Sequence, residues 1–211
     1  MVSSLQKQGV SPRTIIDAGA NAGQFAVASA KLFPNATVHS FEPLPDCIAL
    51  LEKHATKLGN IVVYPVGLGR TAERATFHVN SHSHSSSFLP LAQAHLNAFP
   101  SAVEARTIQV EVSTLDKALS GVEFASPVLL KLDVQGTEPD VLAGGSETLR
   151  RVDYVLLEAS FKMMYEGELL FEDIVSLMKG LGFKFLRPVG WLAGPKTGEI
   201  LQMDILFQKI S

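Results

Sequence analysis

Five short apolar runs, "RTIIDAG", "TVHSFEP", "IVVYPVGL", "VLLKLDV" and "DYVLLEAS", recur along the chain, with amphipathic stretches between them. Each run ends at or near a carboxylate or a glycine. This alternation is the pattern of a mostly parallel sheet with helices on both faces, and it predicts a doubly wound α/β architecture. Residues 22–33 read as a helix closed by Pro34, and 44–58 as a helix opened by "LPD" and closed by Gly59. With their flanking strands they make a βαβαβ unit ending near residue 66. Residues 74–79 and 107–112 read as extra short strands around a polar loop, "NSHSHSSS", expected outside the core. A helix at 171–181 precedes "FKFLRP", and a Gly/Pro-rich link, "VGWLAGPKTGE", leads to a final strand, "LQMDILFQK". The length of that link predicts an antiparallel pair at the sheet's end.

A chain of 211 residues buries roughly 70% of its unfolded surface, so one domain with a full core is expected. The net charge of -3, without a dense basic cluster, leaves no electrostatic footprint for nucleic acid. No run approaches the roughly 18 apolar residues of a membrane span, and "MVSSLQKQGV" lacks the basic and apolar regions of a secretory signal. The single Cys47 rules out an intrachain disulfide and reads as a small buried hydrophobe. A cytoplasmic protein with a small or neutral partner is expected; oligomeric state is not encoded in any motif.

The most specific loop is "TIIDAGANAGQF". In open α/β sheets ligands bind beyond the carboxyl ends of the strands, and the loop after the first strand usually lies there. A GxGxxG dinucleotide fingerprint starting at Gly19 would need glycines where the chain has Asn21 and Gln24, and a Walker loop is absent. What remains is an acid, Asp17, a turn with Gly19 and Gly23, and a helix start whose free N–H groups can receive a carboxylate. That set complements S-adenosylmethionine, which carries a sulfonium, an ammonium and one carboxylate and has no phosphate. Asp17 is then the expected ammonium partner, directly or through water, and Glu42, ending the second strand, the acceptor for both ribose hydroxyls. A tight strand-to-helix turn capped by Asp17 is the structural alternative. "VGLG" at 66–69 would admit the adenine or simply turn.

The fourth run continues as "VLLKLDVQGTEPDVLAGGSETL", placing Lys131 and Asp133 on an otherwise apolar strand, with Glu138 and Pro139 opening a helix. Buried charge of this kind needs a partner or a task. Together, "IIDAGANAGQF", "VHSFEP", "VGLG", "SSSFLP", "VEVSTLDKAL", this segment and "VLLEAS" make the chain resemble the FkbM family of S-adenosylmethionine-dependent methyltransferases. The resemblance implies a Rossmann-like class I methyltransferase fold, with a seven-stranded, mostly parallel sheet and an antiparallel terminal strand. It implies one domain over residues 1–211, the cofactor-binding half at about 10–80 and the acceptor side at about 81–211. The implied cofactor contacts are Asp17, Gly19, Ala20, Asn21, Gly23, Gln24, Phe25, Glu42, Pro43 and Gly67, with Asp133 at the methyl-transfer centre. Where the family commonly has Glu after "DV" this chain has Gln135, and where His or a similar residue often follows the glycine it has Thr137.

The family's usual chemistry is O-methylation, in which the hydroxyl proton must leave as the new bond forms. Alignment of the reactants can contribute about 7 to 11 kcal/mol and a general base about 10² to 10⁴ in rate. Asp133 is the first candidate base, followed by Glu158 and the loop residues His82 and His84. Asp133 has an alternative task, holding the cofactor's ammonium or a metal. Lys131 either tunes these carboxylates or forms a structural ion pair with a neighbouring strand. His82 and His84 share a face if extended, but no third ligand is fixed by spacing, so no metal site is assigned. Ser86, Ser87 and Gln135 are candidate substrate contacts, with loop capping the alternative for the serines. Met163, Met164, Tyr165 and Trp191 either form a lid or cover a sheet edge.

The expectation is an S-adenosylmethionine-dependent O-methyltransferase acting on a hydroxyl of a small metabolite or saccharide and releasing S-adenosylhomocysteine. Two alternatives stand beside it. One is an NAD-dependent oxidoreductase, which the missing glycines oppose; the other is a binding module without turnover, suggested by Gln135.

Overall fold

The computed structural model describes residues 2–7 and 9–210. Helix α1 (Val2–Lys7) leads into β1 (Thr14–Ala18), α2 (Gln24–Leu32), β2 (Thr37–Phe41), α3 (Pro45–Leu58) and β3 (Ile61–Tyr64), the expected βαβαβ unit. β4 (Gly67–Leu68), β5 (Glu73–Asn80) and β6 (Glu104–Ser113) form a separate sheet in the order β4-β6-β5. Its β5–β6 connection carries a 3-10 turn (Ser83–Ser85) and α4 (Gln93–Ala98). There follow α5 (Leu115–Ala118), β7 (Val128–Leu132), α6 (Glu138–Ala143), α7 (Ser146–Leu149), β8 (Tyr154–Ser160), α8 (Phe171–Gly180), β9 (Phe183–Ala193) and β10 (Ile200–Lys209).

The main sheet has seven strands in the order β3-β2-β1-β7-β8-β10-β9, and β10 pairs antiparallel to both of its neighbours. This is the expected doubly wound, mostly parallel arrangement. Successive strand residues face opposite sides, so a strand covered on both faces needs apolar residues at every position. Thus Ile15, Leu129, Leu156 and Leu206 pack with residues of α1, α2 and α3. Their neighbours Ile16, Leu130, Val155 and Ile205 pack on the opposite face with residues of α5 to α8. Each such side chain contributes about 1.5–3 kcal/mol by leaving water. Strand order reverses between β1 and β7, and this opens a crevice at the carboxyl ends of those strands.

Two expectations need correction. β9 runs from Phe183 through Ala193, so the first five residues of the stretch read as a link, 189–193, are strand and only residues 194–199 connect it to β10. Gly190, inside the stretch read as a link, and Pro188 just before it are tolerated because β9 is an edge strand. Gly190 also makes room for Asp204, whose Oδ2 would lie 2.7 Å from an added Cβ. Nor does the "NSHSHSSS" loop lie wholly outside the core, since Asn80, Ser85, Ser86 and Ser87 are buried. Much of the loop's polarity is met within it: Asn80 Nδ2 donates to the Ser85 carbonyl and Ser86 Oγ accepts from Asn80 N at 3.0 Å, although Asn80 Oδ1 is buried without a partner among the described residues. His78 and Ser87 exchange backbone hydrogen bonds. A polar segment that closes its hydrogen bonds internally can be buried at little cost.

Candidate active site

β1 ends at the crevice, and the chain turns into α2 through three left-handed residues, Gly19 (φ 77), Asn21 (φ 48) and Gly23 (φ 93). Asn21 stands where a dinucleotide fingerprint would have glycine; asparagine is among the few side chains that tolerate this conformation, and its Oδ1 accepts from Ala22 N at 2.8 Å. Glu42 follows β2 and braces the same turn. Its Oε2 accepts from Asn21 N and its Oε1 from Leu44 N, both at 2.8 Å. Burial pushes the Glu42 carboxyl up to about 7 against these two N–H groups.

β7 carries Lys131, and Asp133 follows at its end. Lys131 Nζ lies 3.0 Å from Asp17 Oδ1 and 3.4 Å from Asp133 Oδ2, and it donates to the Gly19 carbonyl at 2.9 Å. Asp17 is fully buried, and neither of its oxygens has an aligned hydrogen-bond donor among the described residues. Burial raises the Asp17 carboxyl above its usual range while the facing ammonium pulls it back. For Lys131 burial acts against the charge, but Asp17 and Asp133 together hold the ammonium above its ordinary range.

After Asp133 the chain makes a second left-handed turn, Gln135 (φ 59) and Gly136 (φ 97). Glu138 fixes it from the start of α6, accepting from Val134 N at 3.0 Å and Gly136 N at 3.1 Å. The turn aims the Gln135 amide between two carboxylates: Nε2 donates to Asp133 Oδ1 and reaches Glu158 Oε2 at 3.5 Å, while Oε1 accepts from the Tyr165 hydroxyl. Gln202 of β10 donates to the same Glu158 oxygen at 2.7 Å. Burial, reinforced by Asp133, Asp204 and Glu138, lifts Glu158 well above the usual carboxylate range, and Lys131 offsets this only in part.

Burial also raises Glu138, to about 7. A carboxyl raised on folding stabilises the protein fully below its ordinary value, and that contribution fades as pH rises through about 7. Glu138→Gln should remove this pH dependence. It also sets an amide N–H against a backbone donor, at a cost of about 1–3 kcal/mol. Urea denaturation at pH 5 should show the loss, and a midpoint equal to the parent's would refute this account of the turn.

These groups surround a cavity of about 460 Å³. Of the residues the resemblance implies as cofactor contacts, Gly19, Asn21, Glu42, Pro43, Gly67 and Asp133 line it. Asp17, Ala20, Gly23, Gln24 and Phe25 do not. Asp17, expected to meet the ammonium directly or through water, is fully buried and faces the Lys131 ammonium at 3.0 Å. Ala20 and Phe25 are core residues, and an added Cβ at Gly23 would meet Leu51 at 2.8 Å. Gln24 is exposed. Gly67 makes room for Phe88, whose ring would lie 2.6 Å from an added Cβ.

Of the candidate catalytic residues, Asp133 and Glu158 line the cavity and Lys131 does not. Among the substrate candidates Gln135 and Ser86 line it, but Ser87 is fully buried and serves the fold. Its Oγ donates to the Gln135 carbonyl at 2.6 Å and accepts from Leu89 N at 3.0 Å. His82 and His84 line the opening, with His82 Nε2 3.2 Å from Ser101 Oγ. No three His, Cys, Asp or Glu side chains among the described residues are grouped to hold a metal. The four residues considered as a lid do not line the cavity: Met164 and Tyr165 are fully buried, while Met163 and the edge-strand residue Trp191 are exposed. Cys47 is buried as expected.

Sequence reasoning missed Gln202, Tyr165 as a support for Gln135, and the wall contributed by His95, Phe99 and Leu192. Gln202 and Asp204 interrupt the otherwise apolar "LQMDILF", and that polarity was a usable signal.

Strand order and crevice together define the fold class. Over 99% of this chain and 76% of the other, the structure is similar to magnesium protoporphyrin IX methyltransferase (ChlM) from Synechocystis PCC 6803 with bound SAM, with a TM-score of 0.53 and 15% identity. The fold is thus the Rossmann-like fold of class I methyltransferases. Residues 17–185 match the Methyltransferase FkbM domain, and the chain belongs to that family of methyltransferases. It is 30% identical over 170 residues to the 2-O-methyltransferase NoeI of Sinorhizobium fredii, covering 78% of this chain and 70% of that one. It is 26% identical over 191 residues to the 31-O-demethyl-FK506 methyltransferase FkbM of Streptomyces tacrolimicus, covering 80% and 72%. No helix among the described residues is long and apolar enough to cross a membrane.

Proposed function

We propose that this methyltransferase uses S-adenosylmethionine and transfers its methyl group to a hydroxyl of a small metabolite or saccharide. The observation that carries the cofactor assignment is the charge of the cavity. Glu42, Asp133 and Glu158 line it, and no lysine or arginine does among the described residues. Such a lining suits a cationic ligand without phosphate and opposes a dinucleotide, whose pyrophosphate would meet these carboxyl groups with no lysine or arginine among the described lining residues to answer it. Glu42 fits the ribose, since a carboxylate offers about four acceptor positions and backbone N–H groups occupy two. The hydroxyl acceptor is supported by the relatives named above, both O-methyltransferases by name.

When bound, S-adenosylmethionine supplies a methyl group on a positively charged sulfur. The chain's own residues align the partner and take its proton. Asp133 presents its carboxylate to the cavity as proton acceptor, with Gln135 Nε2 on its Oδ1 and the Lys131 ammonium near its Oδ2. Burial lifts Glu158 well above the usual carboxylate range and Gln202 donates to it, so it is placed to orient the hydroxyl beside Asp133. The loop from Ser83 to Ser86, with Phe99 and Leu192, walls the cavity and limits water.

Thermal melting with S-adenosylhomocysteine against NAD tests the cofactor, a ligand at 100 times its Kd adding about 2.7 kcal/mol. Stabilisation by NAD alone would defeat the assignment. Glu42→Ala should weaken S-adenosylhomocysteine at least tenfold by calorimetry, about 1.4 kcal/mol. Asp133→Asn should slow methyl transfer about 10²-fold while the Kd for S-adenosylhomocysteine changes less than threefold.

A further inference from the structure

Resting on the hydroxyl-acceptor reading above, we infer that the acceptor is an uncharged polyol or glycoside and that this site discriminates against acceptors carrying a carboxylate or phosphate near the reacting hydroxyl. The side of the cavity opposite the Glu42 wall is built by the ends of β7, β8 and β10. Its polar groups are Asp133, Gln135, Glu158 and Gln202: two carboxyl groups and two neutral amides. Asp204, paired opposite Glu158 on β10, adds a third carboxyl behind them.

Among the described residues no lysine or arginine lines the cavity to answer these groups. The nearest ammonium, Lys131, is 4% exposed and already shared among the Gly19 carbonyl, Asp17 and Asp133. His95, also in the wall, is held toward its neutral form by burial. Burial, and after it repulsion from Asp133 and Asp204, lifts the Glu158 carboxyl well above its usual range. An anionic acceptor would add to that repulsion in a partly desolvated space, where Coulomb interactions are screened less than in water. A neutral polyhydroxyl compound meets the opposite situation. Carboxylate and amide oxygens accept from its hydroxyls, amide N–H groups donate to its oxygens, and Phe99 and Leu192 offer apolar surface to its C–H face.

The test is a panel of neutral methyl glycosides, each matched with its uronate and with the uronate methyl ester, assayed by labelled methyl transfer. The neutral member and the ester should each exceed the free uronate at least tenfold in kcat/KM. Equal or better use of the uronate overturns the inference. Leu192→Arg, which adds a cation to the half-exposed wall, should narrow the gap for uronates, and an unchanged ratio also counts against it.

A second measurement needs no turnover. In the protein saturated with S-adenosylhomocysteine, a cationic nitroxide should broaden the side-chain amide resonances of Gln135 and Gln202 more than an anionic nitroxide of the same size. The reverse order would refute the charge argument. If S-adenosylhomocysteine binds and no member of a wide alcohol panel is methylated, the hydroxyl-acceptor reading fails, while the nitroxide ratio still decides the charge of the site. The two failures are therefore distinguishable.

Discussion

Gly19→Ala should destabilise the protein by about 2–5 kcal/mol and remove binding of S-adenosylhomocysteine. A Cβ at this position would lie 2.0 Å from the Asp133 carbonyl oxygen, which is backbone and has no flexible end to swing away. Forcing bulk into packed structure costs typically 1–3 kcal/mol, and the left-handed conformation at φ 77 adds roughly 1–2 for a residue with a side chain. Both ends of the catalytic crevice meet here, so relief by moving β1 away from β7 would displace Asn21 from Glu42 and Asp133 from Gln135. The midpoint of urea unfolding and calorimetric titration are the measurements. A variant with parental stability and affinity would show that the strands do not approach as closely as described.

Lys131→Met should cost about 3–5 kcal/mol at pH 8, because it leaves Asp17 as a fully buried charge without its counterion. The loss should shrink on acidification. Burial already raises Asp17, and without Lys131 it rises further, so the folded variant holds a proton that the unfolded chain has released. Stability from such a group is complete below the ordinary aspartate value of 3.8 and declines as pH climbs through the folded-state value. The gap between variant and parent should therefore be smaller at pH 5 than at pH 8. Equal gaps at both would mean that Asp17 is not the group left behind. Lys131→Met with Asp17→Asn should recover much of the loss, since the buried charge is then absent from both sides.

The sheet was largely legible because its central strands are covered on both faces and so read as unbroken apolar runs. Acids at the strand ends were legible for the same reason: Glu42, Asp133 and Glu158 contradict the apolar pattern and reach the cavity. Asp17 contradicts it equally, yet it turns to Lys131 instead of the crevice. Sequence marks a charge as anomalous but does not say whether a ligand or another side chain answers it. The serine loop misled for a related reason, because part of its polarity is spent on its own backbone and on Gln135. The role of Tyr165 depends on a contact between residues 30 positions apart, which no local pattern records.

β10 is inserted between β8 and β9, and it is the strand that delivers Gln202 to Glu158. Consequently the nascent chain cannot complete its catalytic crevice when the cofactor-side strands have folded; β8 must wait with an open hydrogen-bonding edge until residues 200–209 have been synthesised. Until this strand docks, Glu158 lacks its Gln202 donor and the cavity lacks part of its wall.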